Sequence, residues 1–204
     1  MEVIRVRRRL SAPFLHRVVD VLRAGGTIVF PTETSYGLGC DALKPSALRL
    51  VIAIKGRPRT KALPVIVSSR RMVDQYVRVP QTAEPFIRRW PGPLTLVLPI
   101  RRRPPSGLTG GRRSLAVRIS SHPIAQQIVR VYGRPIVATS ANRSGAPSLY
   151  SVRSLRRHFR IRLPDLVIDA GALPRRPAST IIACSGRRLR LIRAGAVPFP
   201  PEKS

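Results

Sequence analysis

Four short clusters hold most of the residues able to do chemistry. The first, Pro31-Thr32-Glu33-Thr34-Ser35-Tyr36-Gly37-Leu38-Gly39, packs hydroxyls, a phenol, a carboxylate and two glycines into nine residues. Glycine lets backbone approach a ligand, and hydroxyls beside free N–H groups hydrogen-bond small polar substrates. A polar turn with a capping role has the same composition. The second, Lys55-Gly56-Arg57-Pro58-Arg59-Thr60-Lys61, sets four cations within seven residues. They repel one another unless solvated or facing an anion, and guanidinium and ammonium groups both suit phosphate. The third, Ala138-Thr139-Ser140-Ala141-Asn142-Arg143-Ser144-Gly145, offers hydroxyl and amide groups that orient a nucleotide or amino acid, or cap the helix expected from 151. The last pairs Ala178-Ser179-Thr180 with Arg193-Ala194-Gly195-Ala196, an arrangement that fits an anion or an edge strand.

Several chemistries are excluded by what is missing. There is no phosphate-binding Walker loop, no G-x-G-x-x-G dinucleotide fingerprint and no G-x-S-x-G nucleophile elbow. Nine carboxylates against 38 basic side chains leave little material for a carboxylate acid/base pair or a magnesium cage. The net charge of +29, nearly all arginine with lysine only at 44, 55, 61 and 203, attracts nucleotides, nucleic acid or acidic surfaces. Cys40 and Cys184 stand far apart with no metal-ligand spacing around them, which fits a reducing cytoplasmic compartment. Charges at His16, Arg17, Asp20 and Arg23 interrupt any signal-peptide core, and no apolar run reaches the roughly 20 residues of a membrane span.

The elements that must position the clusters alternate. Leu15, Val18, Val19 and Leu22 recur at helical spacing up to Gly25-Gly26, and 27–30 then reads as a buried strand. Helices are expected over 45–54, 70–78, 82–90, 122–131 and 151–159. Strands are expected over 63–67, 94–98, 115–119, 136–138, 166–168, 179–183 and 189–192. The pattern implies a single α/β domain around a twisted, open mixed sheet with flanking helices. Each cluster falls where a strand meets a loop or helix, the place where open α/β sheets collect ligands. Residues 101–113, rich in Arg, Pro and Gly, read as a surface loop beside the active face or a plain connector.

In this order the clusters resemble the YrdC-like family. The matching residues are Pro-Thr-Glu-Thr34, Tyr36-Gly-Leu-Gly-Cys-Asp-Ala42, Lys55-Gly-Arg57-Pro, Trp90-Pro-Gly-Pro-Leu-Thr95, Ala116-Val-Arg118-Ile, Thr139-Ser-Ala-Asn142, Ser144-Gly145, Ser179-Thr180-Ile and Arg193-Ala-Gly195-Ala. The likeness runs from about residue 12 to 198. It implies a concave basic cavity holding ATP and L-threonine side by side. The implied reaction is threonylcarbamoyl-AMP synthesis from L-threonine, bicarbonate and ATP, with pyrophosphate released, feeding the N6-threonylcarbamoyladenosine modification of tRNA. By the same resemblance Lys55, Arg57, Ser140 and Asn142 belong to the reacting centre. Thr32, Thr34, Tyr36, Arg118, Ser140 and Ser179 belong to threonine. Lys55, Arg57, Lys61, Ser114, Ser140, Asn142, Ser148 and Arg193 belong to ATP. Mg2+ is expected mainly on the nucleotide, and tRNA or other RNA and the proteins that transfer the product are implied partners. Ala62, Ala183 and Ala194 depart from the family pattern. The chain stops soon after the last motif, as in the family's short form. An RNA-binding relative of the YciO branch, without synthase activity, is the competing expectation. The hydrogenase-maturation carbamoyltransferases share the fold but come with zinc-finger regions, for which this chain has too few cysteines.

Overall fold

The computed structural model describes residues 1–105, 107–159 and 162–199. Its strands are β1 (Glu2–Arg5), β2 (Thr27–Pro31), β3 (Tyr36–Cys40), β4 (Val65–Ile66), β5 (Leu94–Pro99), β6 (Ser114–Arg118), β7 (Ile136–Val137), β8 (Thr139–Ser140), β9 (Leu166–Asp169), β10 (Thr180–Ser185) and β11 (Arg188–Arg193). Its helices are α1 (Ala12–Arg23), α2 (Pro45–Lys55), α3 (Arg70–Tyr76), α4 (Glu84–Ile87), α5 (Pro123–Tyr132) and α6 (Leu155–His158).

The α/β expectation holds, with the strands divided between two mixed sheets. One has the order β1-β9-β2-β3-β8 and the other β11-β10-β5-β6-β4-β7. One apolar cluster joins them and draws Leu38, Phe30 and Ile168 from the first and Leu96, Val117 and Ile182 from the second. Three strands lay outside the sequence expectation: β1, β3 and the two-residue β8, which pairs antiparallel with β3. β1 is a charged edge strand parallel to β9. β3 reads Tyr-Gly-Leu-Gly-Cys, and glycine is depleted in strands, yet all five of its residues are buried, between β2 and β8 of the first sheet. Gly39 explains the composition: a Cβ there would lie 2.2 Å from the carbonyl oxygen of Val137, so only glycine lets the neighbouring backbone pass.

Helix ends follow local chemistry. α2 starts on Pro45 and stops at Gly56, whose φ of +57° is the left-handed conformation glycine adopts without strain. This stop makes Lys55 the last helical residue. α5 begins with Pro123, and His122 Nδ1 accepts from the Ile124 N–H as its cap. α3 ends two residues before the expected boundary because Val77 pairs across to Ile100 as an isolated bridge, a tertiary contact that overrides helical spacing. The helix expected over 82–90 shrinks to a 3-10 turn, Gln81–Ala83, followed by α4. The one expected over 151–159 becomes the turn Val152–Ser154 and α6. No helix among the described residues is long and apolar enough to cross a membrane.

Candidate active site

The six-stranded sheet makes the floor of the site through the two-residue period of its strands. On β5, β6 and β10 one set of alternate residues, Leu96, Leu98, Leu115, Val117, Ile182 and Cys184, is buried in the core. The other set, Thr95, Val97, Ser114, Ala116, Arg118, Ile181 and Ala183, lines a cavity of about 640 Å³. Register confirms the shared face, because Thr95 pairs with Ile181, Val97 with both Ala183 and Ala116, and Pro99 with Ser114. The walls come from Thr32 and residues 34–37, the loop 57–62, the link 138–140 and the last strand. All the lining residues that carry charge are cations: Arg57, Lys61, Arg112, Arg118, Arg190 and Arg193.

Thr32, Thr34, Tyr36, Arg57, Lys61, Ser114, Arg118, Ser140, Ser148, Ser179 and Arg193 are brought together on this cavity. Lys55 and Asn142 are not among its lining residues. The Lys55 ammonium, 2% exposed, donates to the carbonyl oxygens of Ser140 and, at 2.7 Å, Asn142. The Asn142 side chain donates in turn to the Ala146 carbonyl. Both groups tie down the 140–146 loop from behind, which presents Ser140 to the cavity. Burial, reinforced by the nearby Arg57 charge, pulls the Lys55 ammonium down to about 7.

The wall that carries Arg118, Arg193, Ser179 and the 32–36 turn is fastened internally. Arg118 on β6 lies 3.1 Å from Glu33, with side-chain exposures of 8% and 6%, and Ser120 donates to the second oxygen of that carboxylate. Arg193 donates twice to the Ser179 carbonyl, at 2.7 and 3.0 Å, and once to its hydroxyl at 2.9 Å. Ser179 Oγ is 3.1 Å from Thr95 Oγ1. Burial first, and the Arg118 charge second, lower the Arg193 guanidinium from its ordinary value. Thr32 Oγ1 donates to the Ser35 carbonyl at 2.7 Å and lies 3.1 Å from Thr34 Oγ1, which stiffens the 32–35 turn. Tyr36 is fully buried, and its hydroxyl donates to the Gly171 carbonyl and accepts from the Ala170 N–H. Burial, partly offset by that N–H, pushes it up to about 12. The phenol is thus spent on holding the end of β9 beside the site.

The cation loop is lighter in contacts. Arg57 donates to the carbonyl of Ala62 at 2.8 Å, and burial lowers its guanidinium from the ordinary value. Arg112 donates to the Thr60 carbonyl at 2.8 Å, and Gly110, with φ +58°, packs so close to Thr60 that a Cβ would lie 2.3 Å from its oxygen. Loop 107–113 therefore braces loop 57–62. Thr95, Arg112 and Arg190 were missed in the sequence. The alternation Leu94-Thr95-Leu96-Val97-Leu98 carries the signal for Thr95, whereas nothing local separates Arg112 and Arg190 from the many other arginines.

The chain is similar to known proteins over most of its length. The Sua5/YciO/YrdC family model, described as "Telomere recombination", matches residues 20–195. A threonylcarbamoyl-AMP synthase of Thiobacillus denitrificans is 40% identical over 187 residues, covering 90% of this chain and 96% of that protein. Sua5 of Pyrococcus abyssi, solved in complex with L-threonine, superposes with a TM-score of 0.90 at 36% identity; the match covers 97% of this chain but only 58% of the archaeal one. The YciO structure from E. coli, at 23% identity and a TM-score of 0.85, shares the fold. With the ordered motifs lining one basic cavity and the family match spanning most of its length, the chain belongs to the Sua5/YciO/YrdC family.

Proposed function

We propose that this protein is a threonylcarbamoyl-AMP synthase, working as one cytoplasmic domain. The amine of L-threonine and bicarbonate yield a carbamate and water. A carbamate oxygen attacks the α-phosphorus of ATP, and the α–β phosphoanhydride bond breaks to release pyrophosphate. The observation that carries the reading is a single cavity with two kinds of anion-binding wall. Arg118, fixed on a strand, offers a planar fork for one carboxylate. Arg57 and Lys61, on a loop across the cavity, offer cations to a phosphate chain.

In this reading Thr32, Thr34 and Ser179 hold the threonine with Arg118, while Ser114, Ser148 and Arg193 contact the nucleotide and Ser140 faces both. Lys55 and Asn142 act by shaping the Ser140 loop. With only cations among its charged lining residues, the cavity offers no carboxylate for a metal, and the described residues hold no cluster of three or more metal-ligating side chains. Mg2+ therefore fits as an ion carried in on the phosphates, where it would neutralise charge on the leaving pyrophosphate. Catalysis rests on positioning and on cations set where charge develops. A second groove adjoins the cavity through Arg112 and Ser114 and is lined by Arg78, Arg101, Arg102, Arg103 and Arg113. It supports transient contact with tRNA or other RNA as the product passes to the proteins that transfer it.

The test is pyrophosphate release from ATP by the purified protein. Release that requires both L-threonine and bicarbonate, with threonylcarbamoyl-AMP detected by mass spectrometry, is expected. Equal release without threonine overturns the reading.

A further inference from the structure

We infer that Glu33 is a positioning residue that sets which anion the Arg118 subsite accepts, admitting the single carboxylate of a zwitterionic amino acid and rejecting phosphate. The inference rests on the proposal that Arg118 takes the threonine carboxylate.

Arg118 and Arg193 both line the cavity close enough for one to lower the other. Two guanidiniums with no counter-ion make a good phosphate site, and with Arg193 facing the nucleotide in the proposed reading, phosphate would be drawn from Arg57 and Lys61 into the threonine subsite. Glu33 changes that balance. Its side chain is almost wholly buried behind Arg118, it does not line the cavity, and its two oxygens meet Arg118 on one side and Ser120 on the other. Ser120 is itself fully buried and is held in place because its hydroxyl accepts from the His122 N–H and its carbonyl from the Gln126 side chain. The carboxylate is therefore held by a hydrogen bond at one oxygen and by the Arg118 charge alone at the other. It cancels one of the two positive charges and aims the Arg118 guanidinium at the cavity. A net single charge suits one carboxylate; a net double charge would suit phosphate.

Two substitutions separate the charge from the geometry. Glu33→Gln keeps the shape and loses the charge; Glu33→Asp keeps the charge and shortens the reach. Threonine KM, ATP KM, kcat and the pattern of inhibition by inorganic phosphate are measured for both and for the parent protein. In Glu33→Gln the threonine KM is expected to rise at least tenfold, with ATP KM and kcat within about threefold, and phosphate becomes competitive with threonine. In Glu33→Asp threonine KM rises while phosphate remains without effect on threonine. Ser120→Ala, which frees one end of an intact carboxylate, is expected to behave as Glu33→Asp does and serves if the Glu33 variants fail to fold. An unchanged threonine KM in Glu33→Gln, or in Ser120→Ala where that variant stands in, overturns the inference. So does a raised KM in Glu33→Gln with unaltered phosphate inhibition, the behaviour of a merely structural buttress. Failure of the parent protein to saturate with threonine would instead strike the proposed function itself.

Discussion

Arg118 and Arg57 carry the same guanidinium and line the same cavity, but the chain holds them in different ways. Arg118 is on β6, nearly inaccessible, backed by a buried carboxylate that is anchored in turn by Ser120. Arg57 is on a loop, half-buried, and anchored through its neighbours' main chain, with a 2.8 Å bond to Ala62. The first arrangement fixes a planar fork in one orientation and suits a small ligand with one carboxylate. The second leaves room to follow a phosphate chain whose bond angles change during the reaction. Fastening one substrate tightly and letting the other adjust divides the task of alignment unevenly between the two walls.

The widest separation between the walls is expected from Arg118→Ala. It removes the carboxylate fork and strands Glu33 as a buried unpaired charge, so stability falls by about 3–5 kcal/mol together with the loss of threonine use. Thermal melting and a threonine titration read the two effects, and an unshifted melt would show that the Glu33 pair is replaced by solvent. Arg57→Ala, by contrast, should spare stability to within about 1 kcal/mol. It should remove about 1.5–3 kcal/mol from nucleotide or transition-state binding, seen as a tenfold or larger fall in kcat/KM for ATP with threonine KM little changed. Equal losses of folding stability in both variants would erase the contrast.

How far this contrast was legible beforehand depended on the type of signal. Periodicity located the floor strands and the three long helices α1, α2 and α5, since stretches such as Leu94–Leu98 and Leu15–Leu22 repeat at the spacing their elements need. Ordered motifs located the cavity. β3 was not legible, because its glycines answer to Val137 and Phe30 across the fold rather than to a local preference. The sequence offers Lys55 as one more cation in a basic loop, and only its position as the last residue of α2, turned inward beneath the 140–146 loop, separates it from Arg57 two residues on. The Glu33–Arg118 pair spans 85 residues and had no local mark at all.

Lys55→Met tests that buried role. The stranded carbonyls of Ser140 and Asn142 should cost about 1–3 kcal/mol. The folded ammonium titrates at about 7 against an ordinary 10.5, so between those values the unfolded chain holds a proton that the folded one has released. Stability of the parent should therefore rise with pH across that window, by up to one proton's worth, about 1.4 kcal/mol per pH unit. The methionine variant should lack this part of the slope. Urea unfolding of both proteins at about pH 7 and pH 9 gives the difference directly, and parallel slopes would show that Lys55 remains charged throughout.

The smallest effect should come from Lys61→Ala, on the same loop as Arg57 but exposed. Lys61 lines the cavity, yet its ammonium has no hydrogen-bond or ion-pair partner among the described residues, and its main-chain carbonyl, which any residue would supply, is what Arg57 contacts at 3.4 Å. A mobile exposed ammonium acts on phosphate through water, where a charge pair is worth about 1 kcal/mol or less. Raising the ionic strength from about 0.1 M to 1 M shortens the screening length from roughly 10 Å to 3 Å. The ATP KM of Lys61→Ala should thus exceed the parent's by less than about fivefold at low salt and converge on it at high salt. The Arg57→Ala defect should persist, because a half-buried bidentate contact is screened far less. A Lys61→Ala defect that survives high salt would mean that the loop closes over the nucleotide and buries Lys61 as deeply as Arg57, and the division between a fixed wall and an adjustable one would then hold only for the empty protein.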